Sequence, residues 1–542
     1  METSLIFLGG PVLTLDEGSP SAEALWVEGD KIAYAGSEEQ ARALAGPKAK
    51  IVDLAGRTLI PGFIDGHGHF METGRRLSSE MDLRPPPAGQ VKSLGEVIEL
   101  VRQKAEQTPE GEWIKGFGYD DTLLSENRHP LAGDIDEAAK KHPVALRHVS
   151  GHFLAVNSLA LSLAGLGPGT IDPKGGRLRR LADGSPSGLL EEPPAMDLVA
   201  RLIAPLSREK ELEAARAASA NYAAQGVTTA QDGWTGAVNY EVLKEAADLK
   251  AAKVRVQILP DYSLSMSGSL PVGPGSFLGS SYLTLGPSKL FADGSLQGYT
   301  GFLSRPYHRL MYGLPQDWRG YPMTDKEALI EKVSALHKAG RQVAVHAHGD
   351  EAIESVLEAF KKAQKESSDI SRRHFVIHCQ TVRADQLDRM ARLGILASFF
   401  VSHVYYWGDR HRDIFLGLER AEKLDPLLSA KTNGIAFSLH NDSPVTPISP
   451  LRSIETAVLR RTSSGRDLGA EERLDPLSAL RAVTADAAYL AFEEDRKGRL
   501  KKGFLADLAV LSDNPLTAPS EKIAQIKVLA TVVGGETVFG DL

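Results

Sequence analysis

Residues 59–70 read LIPGFIDGHGHF, an apolar run that closes on two histidines spaced i, i+2. On an extended segment alternate side chains share a face, so His67 and His69 point the same way where the strand ends. Imidazoles paired like this are ready ligands for a borderline metal such as zinc. The plain alternative is a surface turn carrying two incidental histidines. The rest of the chain decides between the two readings.

Downstream, apolar β-rich runs alternate with helical stretches, the pattern of a parallel sheet wrapped by helices. The candidate strands are LIPGFID (59–65), PVALRHV (143–149), GVTTAQD (226–232), LTLGPSKLFAD (283–293), RQVAVHA (341–347), HFVIHC (374–379), GILASFF (394–400) and GIAFSL (434–439). Eight strands close a barrel, so the predicted fold is α/β, a (β/α)8 TIM-like barrel over residues 58–494. Helices are expected over 93–107, 209–226 and 326–340, the last ending in Gly340, the residue type favoured just past a helix C-terminus. Segments 71–143 and 150–200, rich in Pro, Gly and charge, are long for βα connections and read as insertions at the barrel mouth.

The two chain ends differ from this middle. Residues 1–57 hold short strands in SLIFLGGPVLTL, EALWVEGDKIAYAG and AKIVDLAGRTL, and residues 495–542 hold DLAVLS and VLATVVGGETVFG. Neither end has enough strands to stand alone, which predicts one composite β-sandwich domain built from both.

The bulk numbers narrow the function. At 542 residues the chain exceeds a plain barrel of roughly 250. Its 62 basic and 70 acidic residues give a net charge of -8 without basic clusters, against a nucleic-acid groove or an anionic membrane surface. The expected partner is a small-molecule substrate, with no nucleic acid and no membrane, and a homodimer is the class-level expectation. The single cysteine, Cys379, excludes an intrachain disulfide and reads as a buried structural thiol rather than a nucleophile. No run approaches the roughly 18 apolar residues of a membrane span, and the N-terminus lacks a signal-like basic region, so the cytoplasm is the default compartment.

Further chemistry-bearing residues fall at strand C-termini, where a barrel of this class places its active site. His346 lies near the end of QVAVHA, His378 near the end of HFVIHC, Asp442 follows the last strand, and Lys289 lies within the fourth. One histidine at a strand end is ordinarily a core or surface residue. The joint set is a poor coincidence.

PGFIDGHGHF, KLFADGSL, VHAHGDEAI, VIHCQTV and NDSPV, with GRLKKGFLADLAVLSDNPL near the end, resemble the amidohydrolase superfamily, and within it the branch that includes N-substituted formamide deformylase. The resemblance implies a metal-dependent hydrolase of C–N bonds, in which His67, His69 and Asp442 bind one divalent metal and His346 and His378 another. Zinc is the expected metal, with iron, manganese and nickel open. Lys289 would bridge the pair as a carbamate, because a buried lysine held neutral can react with carbon dioxide and change from a repelled cation to a bridging anion. An ordinary Lys289–Asp293 ion pair is the alternative. A metal-activated hydroxide would attack the carbonyl while Asp442 moves its proton to the departing amine. His152 and His403 are candidate donors to the carbonyl oxygen. His152, Asn157, Trp234 and His403 are the expected substrate contacts, and Trp318, Tyr405, Tyr406 and Trp407 are candidates for an apolar wall. His348 with Glu351 offers an alternative ligand pair of a kind used by mononuclear deaminases. A barrel that binds ligand without turnover is the further reading, which the proton-carrying Asp442 speaks against.

Overall fold

The computed structural model describes residues 4–174, 176–310, 314–367 and 369–542. The chain forms an α/β protein of two compact units, one of residues 1–71 and 215–542, the other of residues 72–214.

Two parallel sheets dominate the first unit. One holds β1 (Phe63–Ile64), β2 (Val227–Thr235), β3 (Arg255–Pro260) and β4 (Leu283–Leu285), each paired in parallel with the next. The other holds β5 (Ser288–Phe291), β6 (Val343–Ala347), β7 (Phe375–His378), β8 (Leu396–Phe399) and β9 (Phe437–Leu439), again paired in chain order and parallel. These strands are buried almost throughout, as expected where helices cover parallel sheets, and they read as apolar runs rather than alternating ones.

Two features differ from the sequence reading. PVALRHV is not one of these strands; Val144–His148 lies in a six-stranded mixed sheet of the second unit, parallel to Ile114–Tyr119 and antiparallel to Phe153–Val156. Its place beside β2 is taken by β3, whose sequence RVQILP hid among polar residues that the fold buries and pairs: Gln231 Nε2 donates to Gln257 Oε1 at 3.0 Å. LTLGPSKLFAD, expected as one strand, is divided by Gly286 and Pro287 into β4 and β5, since proline cannot donate to a ladder.

The helices follow their apolar spacing. Lys326–Lys338 buries Leu329, Val333 and Leu336 at i, i+4 and i+7 and ends at Gly340, whose φ of 79° is left-handed. Asp350–Glu366 buries Ile353, Val356, Leu357 and Phe360 in the same way. Among the described residues no helix is long and apolar enough to cross a membrane.

The chain ends meet in the first unit. Leu508–Leu511 runs antiparallel to Thr58–Pro61 and to Val528–Val533 in a six-stranded sheet that also takes Val12–Asp16. A second, four-stranded sheet is wholly N-terminal, and one apolar cluster holds Phe7, Leu25 and Val52 from it with Leu59, Leu508 and Val532 from the other.

A buried ion pair ties β3 to the C-terminal segment. Arg255 Nε and Nη2 donate to the two Asp507 oxygens at 2.8 and 3.0 Å, and Gly534 N–H adds a bond to Oδ1 at 2.9 Å. Truncating one member of such a pair strands the other charge out of water, at a cost of about 3–5 kcal/mol. Asp507→Ala is therefore expected to lower the thermal unfolding midpoint, read by circular dichroism, more than the double variant Asp507→Leu with Arg255→Met does. Equal losses would refute the stranded-charge account.

Candidate metal centre

The end of β1 is locked against the end of β9. Asp442 N–H donates to His67 O at 3.1 Å and His69 N–H donates to Ser443 O at 2.8 Å, so the HGH segment and Asp442 are held face to face by backbone alone. Gly66 has to be glycine: a Cβ there would lie 2.5 Å from Ser438 Oγ and 2.8 Å from Leu439 O. The loops beyond β7 and β9 turn sharply, with left-handed φ at His378 (68°), Cys379 (52°) and Asp442 (52°). Non-glycine residues in that region are uncommon and gather at functional sites.

Two groups of ligating atoms result. His67, His69 and Asp442 form one, with their atoms within 4.8 Å of one another. Asp442 Oδ1 lies 3.3 Å from His69 Nε2 and 3.7 Å from His67 Nε2, and Lys289 Nζ lies 3.3 Å from that same His67 nitrogen. His346, His348 and His378 form the other group, with His378 Nε2 at 3.1 Å from His346 Nδ1. Nitrogens bound about 2.0–2.1 Å from one tetrahedral zinc lie about 3.3 Å apart, so both spacings suit a shared ion. Asp442 Oδ1 and His67 Nδ1 are buried without a hydrogen-bond partner among the described residues. A cation beside Asp442 Oδ1 would supply what the protein leaves undone there.

The electrostatics agree with the ligand chemistry. Burial, reinforced by neighbouring positive groups, holds His67, His346 and His378 well below the ordinary imidazole range, and burial brings His348 down to about 3. Neutral imidazole is the form that binds metal. Burial lowers Lys289 to about 7, with Asp442 opposing the shift. The Lys289–Asp293 ion pair is not formed. Asp293 instead accepts backbone N–H groups from His348, Gly349 and Phe302 at 2.8–2.9 Å, and burial raises it to about 7.

The other expected residues are distributed unevenly. His403 is buried with its ring 5.3 Å from that of His348 and its Nδ1 at 3.8 Å from Asp425 Oδ2. Trp234 is 57% exposed at the end of β2, edge-on to Phe291. Trp407 packs on Phe400 and His403, whereas Trp318 anchors a loop through a 2.8 Å bond to Tyr299 O. Tyr405 and Tyr406 pack edge-on to each other. Glu351 is outside the His348 group. Cys379 is buried and its thiol is pushed up by that burial, as suits a structural residue.

In the second unit, His152 Nδ1 lies 2.9 Å from Glu192 Oε2. Asn157 needs correcting as a substrate contact. Its Oδ1 accepts from Val144 N and Ala160 N, its Nδ2 donates to His142 O and Ala139 O, and it caps the helix Ser158–Leu163. Those four bonds use the whole amide.

Sequence reasoning passed over His440, which is fully buried with Nε2 at 3.1 Å from His378 Nδ1. The signal was available: His440 stands two residues before Asp442, the spacing that singled out His67 and His69. A further group, Asp120, Asp121 and His148, lies in the second unit. There Ser150 N–H donates to His148 Nδ1, and His148 Nε2 lies 3.0 Å from Asp121 Oδ1, buried and without a hydrogen-bond partner among the described residues.

Residues 50–539 match the amidohydrolase family. The chain belongs to that family. An amidohydrolase is a hydrolase, and the relatives fit: LONG AFTER FAR-RED 3 of Arabidopsis thaliana is 32% identical over 99% of this chain and 91% of its own length. N-substituted formamide deformylase of Arthrobacter pascens is 28% identical over 98% of this chain and 97% of its own. The crystal structure of an uncharacterized metal-dependent hydrolase from Pyrococcus furiosus superposes with a TM-score of 0.74 at 26% identity, covering 95% of this amidohydrolase and all of that chain.

The closeness of Gly233 to the centre makes a test. A Cβ at Gly233 would lie 2.4 Å from His67 Cε1 and 2.8 Å from Gly68 O. Gly233→Ala is expected to displace His67 and lower the metal retained per chain, measured by elemental analysis. Full retention would show that the ring's position is not critical.

Proposed function

We propose that this amidohydrolase hydrolyses a C–N bond of a small linear amide, N-formyl or N-acyl compound at a centre of two divalent metals, with zinc the expected ion. The supporting observation is the pair of ligand groups, His67/His69/Asp442 and His346/His378, with Lys289 beside the first at 3.3 Å. In this reading the parallel strands close as a (β/α)8 barrel, and the two chain ends form a β-sandwich beside it.

When bound, two such ions supply Lewis acidity and bring the pKa of a shared water toward neutrality. The protein's own groups do the rest. Lys289, desolvated to about 7, has enough neutral amine to take up carbon dioxide, which would convert an ammonium beside His67 into an anion. Asp442 takes a proton from the attacking water and delivers it to the departing nitrogen, a necessary step because an amide anion is a very poor leaving group. His403, neutral and buried, donates a ring N–H to the substrate carbonyl oxygen. Trp234 offers its exposed indole to the acyl or aryl part of the substrate.

His348 beside His346 and His378 gives the mononuclear deaminase reading its one supporting observation. Elemental analysis paired with intact mass under native conditions separates the two. The binuclear reading expects close to two metals per chain and an acid-labile gain of about 44 Da that Lys289→Met abolishes, the chemistry of a lysine carbamate. It also expects hydrolysis of N-formyl or N-acyl compounds that chelation stops and zinc restores. Asp442→Asn should lower kcat by about 10²–10⁴-fold. One metal per chain, indifferent to Lys289, moves the assignment to the deaminase. No metal after supplementation sinks both.

A further inference from the structure

Behind His378 runs a continuous hydrogen-bonded row of Ser398, His440, His378 and His346, each able to carry one proton, ended on either side by a backbone carbonyl. Gly66 O is 3.2 Å from Ser398 Oγ, which is 2.9 Å from His440 Nδ1. His440 Nε2 is 3.1 Å from His378 Nδ1, His378 Nε2 is 3.1 Å from His346 Nδ1, and His346 Nε2 is 3.0 Å from Gly294 O. Ser438 Oγ donates to Ser398 Oγ at 2.9 Å, and Ser398, Ser438, His378 and His440 are all buried.

A carbonyl only accepts, so His346 carries its proton on Nε2 and presents a lone pair at Nδ1. The remaining distances admit two polarities. In one, Ser398 O–H donates to His440 Nδ1, His440 Nε2–H to His378 Nδ1, and His378 Nε2–H to His346 Nδ1. In the other, Ser398 O–H turns to Gly66 O, His440 Nδ1–H donates to Ser398, and His378 Nδ1–H donates to His440. The second polarity leaves two imidazole lone pairs facing each other at 3.1 Å, an arrangement that only a cation between them stabilises. Each residue holds the same number of protons in both polarities, so the change alters no charge in a buried region.

The structure assigns to His440 and Ser398 a positioning role: they form a reversible hydrogen-bond chain that sets the tautomer of His378, so that its Nε2 lone pair is presented when metal binds between His378 and His346. The inference rests on the binuclear reading above and goes further by giving one of the two positions its own support. The His67/His69/Asp442 group is held differently. His67 Nδ1 is buried with no hydrogen-bond partner among the described residues, and His67 therefore has no matching chain.

The test compares wild type, His440→Phe, Ser398→Ala and His440→Gln for zinc retained per chain against graded chelator. His440→Phe is expected to lose one zinc at about 10–100-fold lower chelator while keeping the other, the usual cost of removing a ligand's hydrogen-bond partner. Ser398→Ala should move the same way by less. His440→Gln should restore retention, because its amide accepts from His378 and donates to Ser398. In 15N-histidine spectra of the zinc-loaded wild type, the His378 proton should be on Nδ1. If His440→Phe fails to fold, Ser398→Ala and the spectra carry the decision. Both zincs held as tightly as in wild type, both lost together, or a His378 proton on Nε2 in loaded protein overturns the inference while leaving the binuclear centre standing. A wild type that binds no zinc at either position overturns the binuclear reading itself.

Discussion

Asp442 Oδ1 is the atom on which the centre depends. It is a buried acceptor with imidazole nitrogens at 3.3 and 3.7 Å and no hydrogen bond of its own among the described residues. Buried charge without compensation is among the costliest features a fold can keep. A second costly feature lies close by, a lysine amine stripped of water 3.3 Å from His67 Nε2. A positive charge beside Asp442 Oδ1 would relieve that acceptor.

The scaffold holds these atoms by means that do not themselves need a metal. Reciprocal backbone bonds fix Asp442 to the HGH segment, and Asp293 is engaged by three backbone N–H groups rather than drawn toward Lys289. The left-handed turns at His378, Cys379 and Asp442 are local strain. Such strain persists where surrounding structure over-determines it, which the buried parallel strands on either side provide. The preorganisation lies in backbone and packing, so the chemistry can be carried by a few side chains.

The cluster was legible in sequence where a candidate ligand interrupts an apolar strand. His67, His69, His346, His378 and Lys289 all stand at or within such runs, and the structure gathers them with Asp442. Legibility failed where a residue's work depends on a distant partner. His440 was overshadowed by the aspartate beside it, because its partners, Ser398 and His378, come from β8 and β7. Asn157 looked like a substrate contact and proved to be a cap, since a polar side chain next to a strand end reads alike in both roles. In the fold, PVALRHV has the composition of a core strand and sits in another sheet. RVQILP was missed because Arg255 finds Asp507 some 250 residues away in sequence, a pairing that no local pattern encodes.

The buried lysine argues against a barrel that merely binds. Lys289 is almost wholly out of water, and the acid nearest in sequence, Asp293, is committed to the backbone. An apolar residue of similar length would fill the space and remove the desolvation cost. A binding protein would gain stability from that exchange and lose nothing. Burial brings this amine to about 7 at 3.3 Å from His67, so the site keeps a group whose neutral form is within reach near neutral pH, as groups with strongly shifted pKa values cluster at functional sites.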